Sequence, residues 1–91
     1  MTICSTQPSA PVPEGFRHVS LREYIEHKTG ESVEATAADS PERFLVIESE
    51  ALRDLAVMSE ITGEDVFVTL LPGTESNPAC KQLLEDHCRT I

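Results

Sequence analysis

The pattern of apolar and polar positions predicts a first helix over residues 21–29. Ser20 precedes this segment and Glu23 follows three positions later, which is the capping-box pattern of a helix start. The apolar side chains recur at helical spacing, and Gly30 supplies a left-handed stop. Both ends of the helix are therefore marked by local signals. Its apolar stripe consists of Leu21, Tyr24 and Ile25, with the stem of Lys28.

Two segments that follow predict strands joined by a turn. Residues 43–48 (RFLVIE) are a short apolar run with branched side chains, which is typical of a buried strand. Residues 32–37 (SVEATA) are a weaker strand candidate, and residues 38–42 between them have turn chemistry. An antiparallel hairpin is the expected connection.

A second helix is predicted over residues 50–62, with Ser49 as its cap and Gly63 as its stop. Its apolar residues cover most of the circumference, so we expect the helix to be largely buried. They are Ala51, Leu52, Leu55, Ala56, Val57, Met58 and Ile61.

The end of the chain predicts one more strand and one more helix. Residues 66–71 (VFVTLL) form a strand that Pro72 and Gly73 close. Asn77 and Pro78 are then the cap and the first position of a last helix. The apolar face of this helix contains Cys80, Leu83, Leu84, Cys88 and Ile91.

These elements predict one α+β domain over residues 16–91, because 91 residues rarely divide into two cores. Their order is helix, strand, strand, helix, strand, helix. The strand–helix–strand unit over 43–71 should cross over right-handed, which gives a small mixed sheet of three strands packed with three helices. One alternative stays open: Ser40 could cap a continuous helix over 41–62 and make the protein mainly helical.

Residues 1–15 predict a flexible leader rich in Pro, Ser and Thr. They have neither the basic start nor the apolar run of a secretory signal, and no stretch of the chain approaches a membrane span. We therefore expect a cytoplasmic protein without membrane contact.

The three cysteines predict free thiols, since their number is odd and no export signal is present. Cys4 lies in the expected leader and should be exposed. Cys80 and Cys88 would lie about 12 Å apart on one helix, too far for a disulfide, and small core positions suit them best.

The charge is concentrated in the middle of the chain. The protein has 16 acidic and 7 basic residues, a formal net charge of −9. Residues 1–29 and 77–91 are each neutral, so 11 acids and two bases between residues 30 and 76 carry the whole excess. This balance argues against direct binding of nucleic acid and favours a basic partner, although a merely solubilising surface is also consistent with it.

No motif predicts catalysis, a metal or a cofactor. The Cys and His spacings match no zinc pattern, and the scattered glycines form no phosphate-binding loop. Cys88 has His87 beside it, but adjacent helical residues point about 100° apart, which does not suit a nucleophile and its base. We therefore expect a protein that is not an enzyme and uses no cofactor.

The sequence favours a small acidic protein-binding module that docks on a basic surface as an inhibitor, adaptor or regulatory subunit. One alternative is a phage-type nucleic-acid mimic that inhibits a host nucleic-acid-binding complex; another is an accessory or self-associating structural subunit. The expected acidic face comprises Glu31, Glu34, Asp39, Glu42, Glu48, Glu50, Asp54, Glu60, Glu64 and Asp65.

Overall fold

A computed structural model describes residues 1–91 and shows four helices with a four-stranded parallel sheet. The α+β class is confirmed, but the number of strands and the order of elements differ from the prediction. The sheet has the order β2-β3-β1-β4. The strands are β1 (Thr2–Ser5), β2 (Arg17–Ser20), β3 (Val66–Thr69) and β4 (Cys88–Thr90), and the helices are α1 (Leu21–Thr29), α2 (Val33–Asp39), α3 (Pro41–Thr62) and α4 (Pro78–His87).

The start of the chain is an interior strand. All four residues of β1 are buried, and β1 pairs in parallel with β3 on one side and β4 on the other. The expected flexible leader over residues 1–15 is thus wrong for these four residues. Four residues are too few to show a strand pattern by themselves, and the partners that bury them lie more than 60 positions away.

The two strands predicted over 32–37 and 43–48 are helical instead, and the hairpin is absent. Ser32 caps α2 by accepting from the amide of Ala35. Ser40 caps α3 by accepting from the amide of Arg43. The alternative of a continuous helix over 41–62 is therefore confirmed, while the four-stranded sheet places the protein in the α+β class rather than in the all-helical class that this alternative implied. The caps and the packing of α3 override the strand preference of its apolar run.

The first helix follows the prediction in both bounds. Ser20 Oγ accepts from the amide of Glu23, and Gly30 adopts φ 75° at the end of the helix. The last helix begins as predicted, with Asn77 Oδ1 accepting from the amide of Ala79. It ends at His87, so Cys88 lies on β4 and does not share the helix of Cys80.

The main core lies between the helices and one face of the sheet. Buried residues of all four helices pack there with Cys4, Val66 and Val68. Side chains alternate along a strand, so Phe67 points to the opposite face, where it is 1% exposed and meets the ring of His18 at 5.9 Å between centroids. None of the helices is long and apolar enough to cross a membrane.

Candidate functional site

The acidic residues proposed as one face have unequal exposure. Glu50 and Asp54 are half-buried and Glu48 is buried, so the expectation that Glu48 belongs to an exposed face is wrong. The other seven are exposed: Glu31, Glu34, Asp39, Glu42, Glu60, Glu64 and Asp65.

Basic groups pair with several of these acids, and all of these groups except Arg43 come from the neutral ends of the chain. Arg22 contacts Glu34 at 2.6 Å, and this hydrogen bond lowers the pKa of the Glu34 carboxyl group. Exposed ion pairs of this kind contribute little to stability, because water screens them. They reduce the number of free carboxylates that could meet a partner. The remaining pairs are Arg17–Glu64, Lys28–Asp54, Arg43–Asp39, His87–Glu60 and the N-terminal amine with Asp65.

Glu48 accepts hydrogen bonds inside the protein. Its Oε2 accepts from Thr74 Oγ1 and its Oε1 accepts from Asn77 Nδ2, each at 3.0 Å. Burial is the main cause that raises the pKa of the Cys80 thiol to about 12, and the negative charge of the nearby Glu48 is the second cause. Both carboxylate oxygens thus have partners, and this cluster joins α3 to the start of α4 while leaving Cys80 unreactive.

The ten acids are not gathered on one surface. Asp39 ends α2 and Glu42 lies in the first turn of α3, whereas Glu64 and Asp65 follow the end of α3. The 22 residues of α3 span about 33 Å. A row of carboxylates at phosphate spacing would also need Glu48, which is buried. The structure therefore brings together pairs of acids and bases rather than a continuous acidic face.

The solvent side of α3 carries an apolar stripe, defined by Val46, Val57, Met58 and Ile61. Val46, Met58 and Ile61 are 54%, 50% and 78% exposed, and Val57 is half-buried. Positions 57, 58 and 61 adjoin one another, and position 46 lies on the same side of the helix about 17 Å away, with polar side chains between. This stripe contradicts the expectation of a largely buried helix.

Two of the shallow grooves that border the helix flank its solvent side. One, of about 300 Å³, lies between α3 and α4 and is lined by Glu50, Arg53 and Leu83 among others. The second, of about 320 Å³, lies between α1 and α3 and is lined by Tyr24, Asp54 and Met58 among others. Arg53 lines both grooves, so they flank a common ridge.

On α3 itself, acidic residues outnumber basic ones along this ridge. Glu50, Asp54 and Glu60 lie on α3 near the stripe, with Arg53 among them. Lys28 contacts Asp54 at 3.0 Å and His87 contacts Glu60 at 2.7 Å, so α1 and α4 each contribute a cation to the rim. Glu50 has neither an ion pair nor a side-chain hydrogen bond.

The comparisons with protein-family models, with curated proteins and with solved structures find no match for this chain.

The other polar clusters do not bring together the groups of a nucleophilic or metal site. His18 Nε2 lies 2.7 Å from Thr69 Oγ1, which is the distance of a base from a hydroxyl nucleophile. No side chain hydrogen-bonds the second ring nitrogen of His18, and neither residue lines a cavity. No group of three or more His, Cys, Asp or Glu side chains converges as a metal site would.

The stripe was not predicted because apolar residues favour burial both in the helix expected over 50–62 and in the strand expected over 43–48, which contains Val46. The signal that was available is the number of apolar residues in the expected second helix. They surround most of the helix, and a small sheet can cover only one side of it. The structure places Leu52, Leu55 and Ala56 in the interior and leaves the stripe in solvent.

Proposed function

We propose that this chain is a non-enzymatic protein-binding module that binds a basic amphipathic helix of a partner along α3, as an inhibitor, adaptor or regulatory subunit. The exposure of Val46, Met58 and Ile61 is the observation that supports this proposal most directly. Apolar side chains grouped on one helix are a recurring mark of interaction surfaces. A helix laid beside α3 would cover them and enter a groove.

Charge complementarity favours a basic partner. The chain has a net charge of −9, and Glu50 has a free carboxylate beside the stripe. A partner helix with Lys or Arg on the flanks of its apolar face would complement both the negative net charge and the Glu50 carboxylate. A second copy of this chain would bring another −9 and would be repelled at long range, so self-association is less favoured.

The proposal is tested with a synthetic helical Lys/Leu peptide as the probe. Its charge-reversed Glu/Leu counterpart is the matched control. Titration of the labelled protein followed by NMR should shift the amides of α3 and of the two grooves with the Lys/Leu peptide only. The dissociation constant should rise several-fold between about 50 and 300 mM salt, because the exposed charges are screened. Absence of binding, equal binding of both peptides, or shifts confined to other surfaces would each contradict the proposal.

Variants on the ridge sharpen this test. Ile61→Ser and Met58→Ser should each weaken binding of the peptide about tenfold, since each removes an apolar contact that the peptide would bury. Val12→Ser is the matched control, because Val12 is also exposed but belongs to the loop between β1 and β2 rather than to α3. Sedimentation measures self-association separately. If the free protein forms a dimer and both variants disrupt it, the occupant of the stripe is a second copy of this chain and not a partner helix.

A further inference from the structure

Two of the three thiols lie side by side on neighbouring strands. In the pairing of β1 with β4, Thr2 is opposite Cys88 and Cys4 is opposite Thr90. Cys4 and Cys88 are therefore two positions apart along adjacent strands, which places both side chains on the same face of the sheet. This face packs on the helices, and both cysteines belong to or border the main core.

The two thiols differ in access. Cys4 is fully buried, whereas Cys88 is half-buried on an edge strand of three residues. The neighbouring Cys4 thiol lowers the pKa of Cys88 against the opposing effect of burial, and the charge of His87 lowers it further, whereas the neighbouring Cys88 and burial both raise the pKa of Cys4. Cys88 is thus the thiol with more thiolate character and more exposure, as an oxidant-sensitive cysteine requires.

We propose that Cys4 and Cys88 form a reversible oxidation site, in which a hydroperoxide oxidises Cys88 and Cys4 then closes a disulfide between β1 and β4. In the first step the Cys88 thiolate attacks a peroxide oxygen; an S–O bond forms, the O–O bond breaks, and the leaving oxygen takes a proton. Two electrons pass from sulfur to the peroxide. In the second step Cys4 loses its proton and attacks the Cys88 sulfenic acid; the S–S bond forms and the S–O bond breaks, which releases water.

The register makes this disulfide strained and therefore labile. Strands about 4.8 Å apart with a rise of about 3.3 Å per residue place the two Cα atoms about 8 Å apart. A disulfide needs about 4.4–6.8 Å. Closure requires β4 to move towards Cys4, and β4 can do so because its only strand partner is β1. Strained disulfides are more easily reduced than structural ones, so the bond would open again with a physiological thiol.

Peptide mapping of the intact chain tests the proposal. Trypsin places Cys4, Cys80 and Cys88 in separate peptides, residues 1–17, 54–81 and 82–89. After treatment with one equivalent of hydrogen peroxide, we expect loss of two hydrogen atoms from the intact mass and a linked pair of peptides 1–17 and 82–89. Cys80 should stay free, which is the internal control, and reduced glutathione should reverse the link. A link through Cys80, a disulfide between two molecules, or a sulfinic acid at Cys88 beside free Cys4 would overturn the proposal.

Two variants assign the roles. Cys88→Ser should abolish the link, and Cys80→Ser should leave it unchanged. Cys4→Ser should leave Cys88 as a sulfenic acid that a cyclic diketone traps; if this variant fails to fold, the linked peptides of the native chain still decide the question. A link that survives Cys88→Ser, or one that glutathione cannot reduce, contradicts the reversible site.

Discussion

Asn77 Nδ2 donates a hydrogen bond to Glu48 Oε1 at 3.0 Å, and this contact fixes the start of α4 against the middle of α3. The same amide group donates to the carbonyl oxygen of Leu45 at 2.9 Å, while Asn77 Oδ1 caps α4. Thr74 completes the cluster by donating to Glu48 and accepting from the amide of Leu71. A buried acid thus organises the turn between β3 and α4.

Removal of this carboxylate should destabilise the fold. Glu48→Ala leaves the Thr74 hydroxyl and one Asn77 proton without a buried acceptor, and we expect a loss of about 2–4 kcal/mol in the free energy of unfolding. Glu48→Gln keeps one acceptor and should cost about 1–2 kcal/mol. Urea unfolding measures both. The matched control is Glu50→Ala on the same helix, which should stay within about 0.5 kcal/mol of the native chain. A Glu48→Ala effect as small as that of the control would contradict the role of the cluster.

The parts of the fold that the sequence could predict are those with local signals. The Ser20 and Glu23 pair and Gly30 mark α1 because a cap depends only on its nearest neighbours. The same holds for Asn77 at the start of α4. The run around Val46 predicted a strand because branched apolar residues favour one; the Ser40 cap and the core contacts of α3 decide otherwise.

The remaining elements depend on partners far along the chain. β1 and β4 contain only four and three residues; β1 pairs with both β3 and β4, and β4 pairs with β1. No periodicity can appear over such lengths. The candidate surface depends in the same way on tertiary packing, because only the position of α3 over the sheet determines that Ile61 is exposed while Leu55 is buried. The buried cluster around Glu48 could not be predicted from the sequence either, since a glutamate is usually exposed.

The N-terminal strand should tolerate substitution poorly. Ile3 is 9% exposed and pairs with Phe67 in the register of β1 and β3. Ile3→Ala should cost about 2–5 kcal/mol, as is typical of a core isoleucine. Val12→Ala lies in the same expected leader but at an exposed position outside any strand, and should change stability by less than about 0.5 kcal/mol. If both substitutions change the free energy of unfolding in urea by equally small amounts, the result would support the flexible leader and contradict a buried strand.

The start of the long helix can be tested through its cap. Ser40 Oγ accepts from the amide of Arg43 at 3.2 Å, so Ser40→Ala should destabilise the protein by about 1 kcal/mol. Ser40→Asp, which preserves the acceptor, should restore most of this loss. Ser9→Ala is the control at an exposed serine without a helix to cap. Thermal unfolding followed by circular dichroism measures the three, and an effect of Ser40→Ala no larger than that of Ser9→Ala would contradict a helix start at this position.

The pair of His87 and Glu60 should give the fold a measurable pH dependence. Glu60 Oε1 lies 2.7 Å from His87 Nδ1, and this hydrogen bond is the main reason that the pKa of His87 is raised above 6.5, with Asp86 and Cys88 adding smaller effects. A raised pKa means that the folded state holds the proton more tightly. The stabilisation is therefore complete below about pH 6.5 and is lost as the pH rises through the raised pKa. In an NMR titration, Glu60→Gln should lower the pKa of His87 towards its ordinary value, while Glu75→Gln, an exposed change elsewhere, should not. The melting temperatures of the native chain and Glu60→Gln should differ more at about pH 5.5 than at about pH 8.5, and a difference that grows towards alkaline pH would contradict the pair.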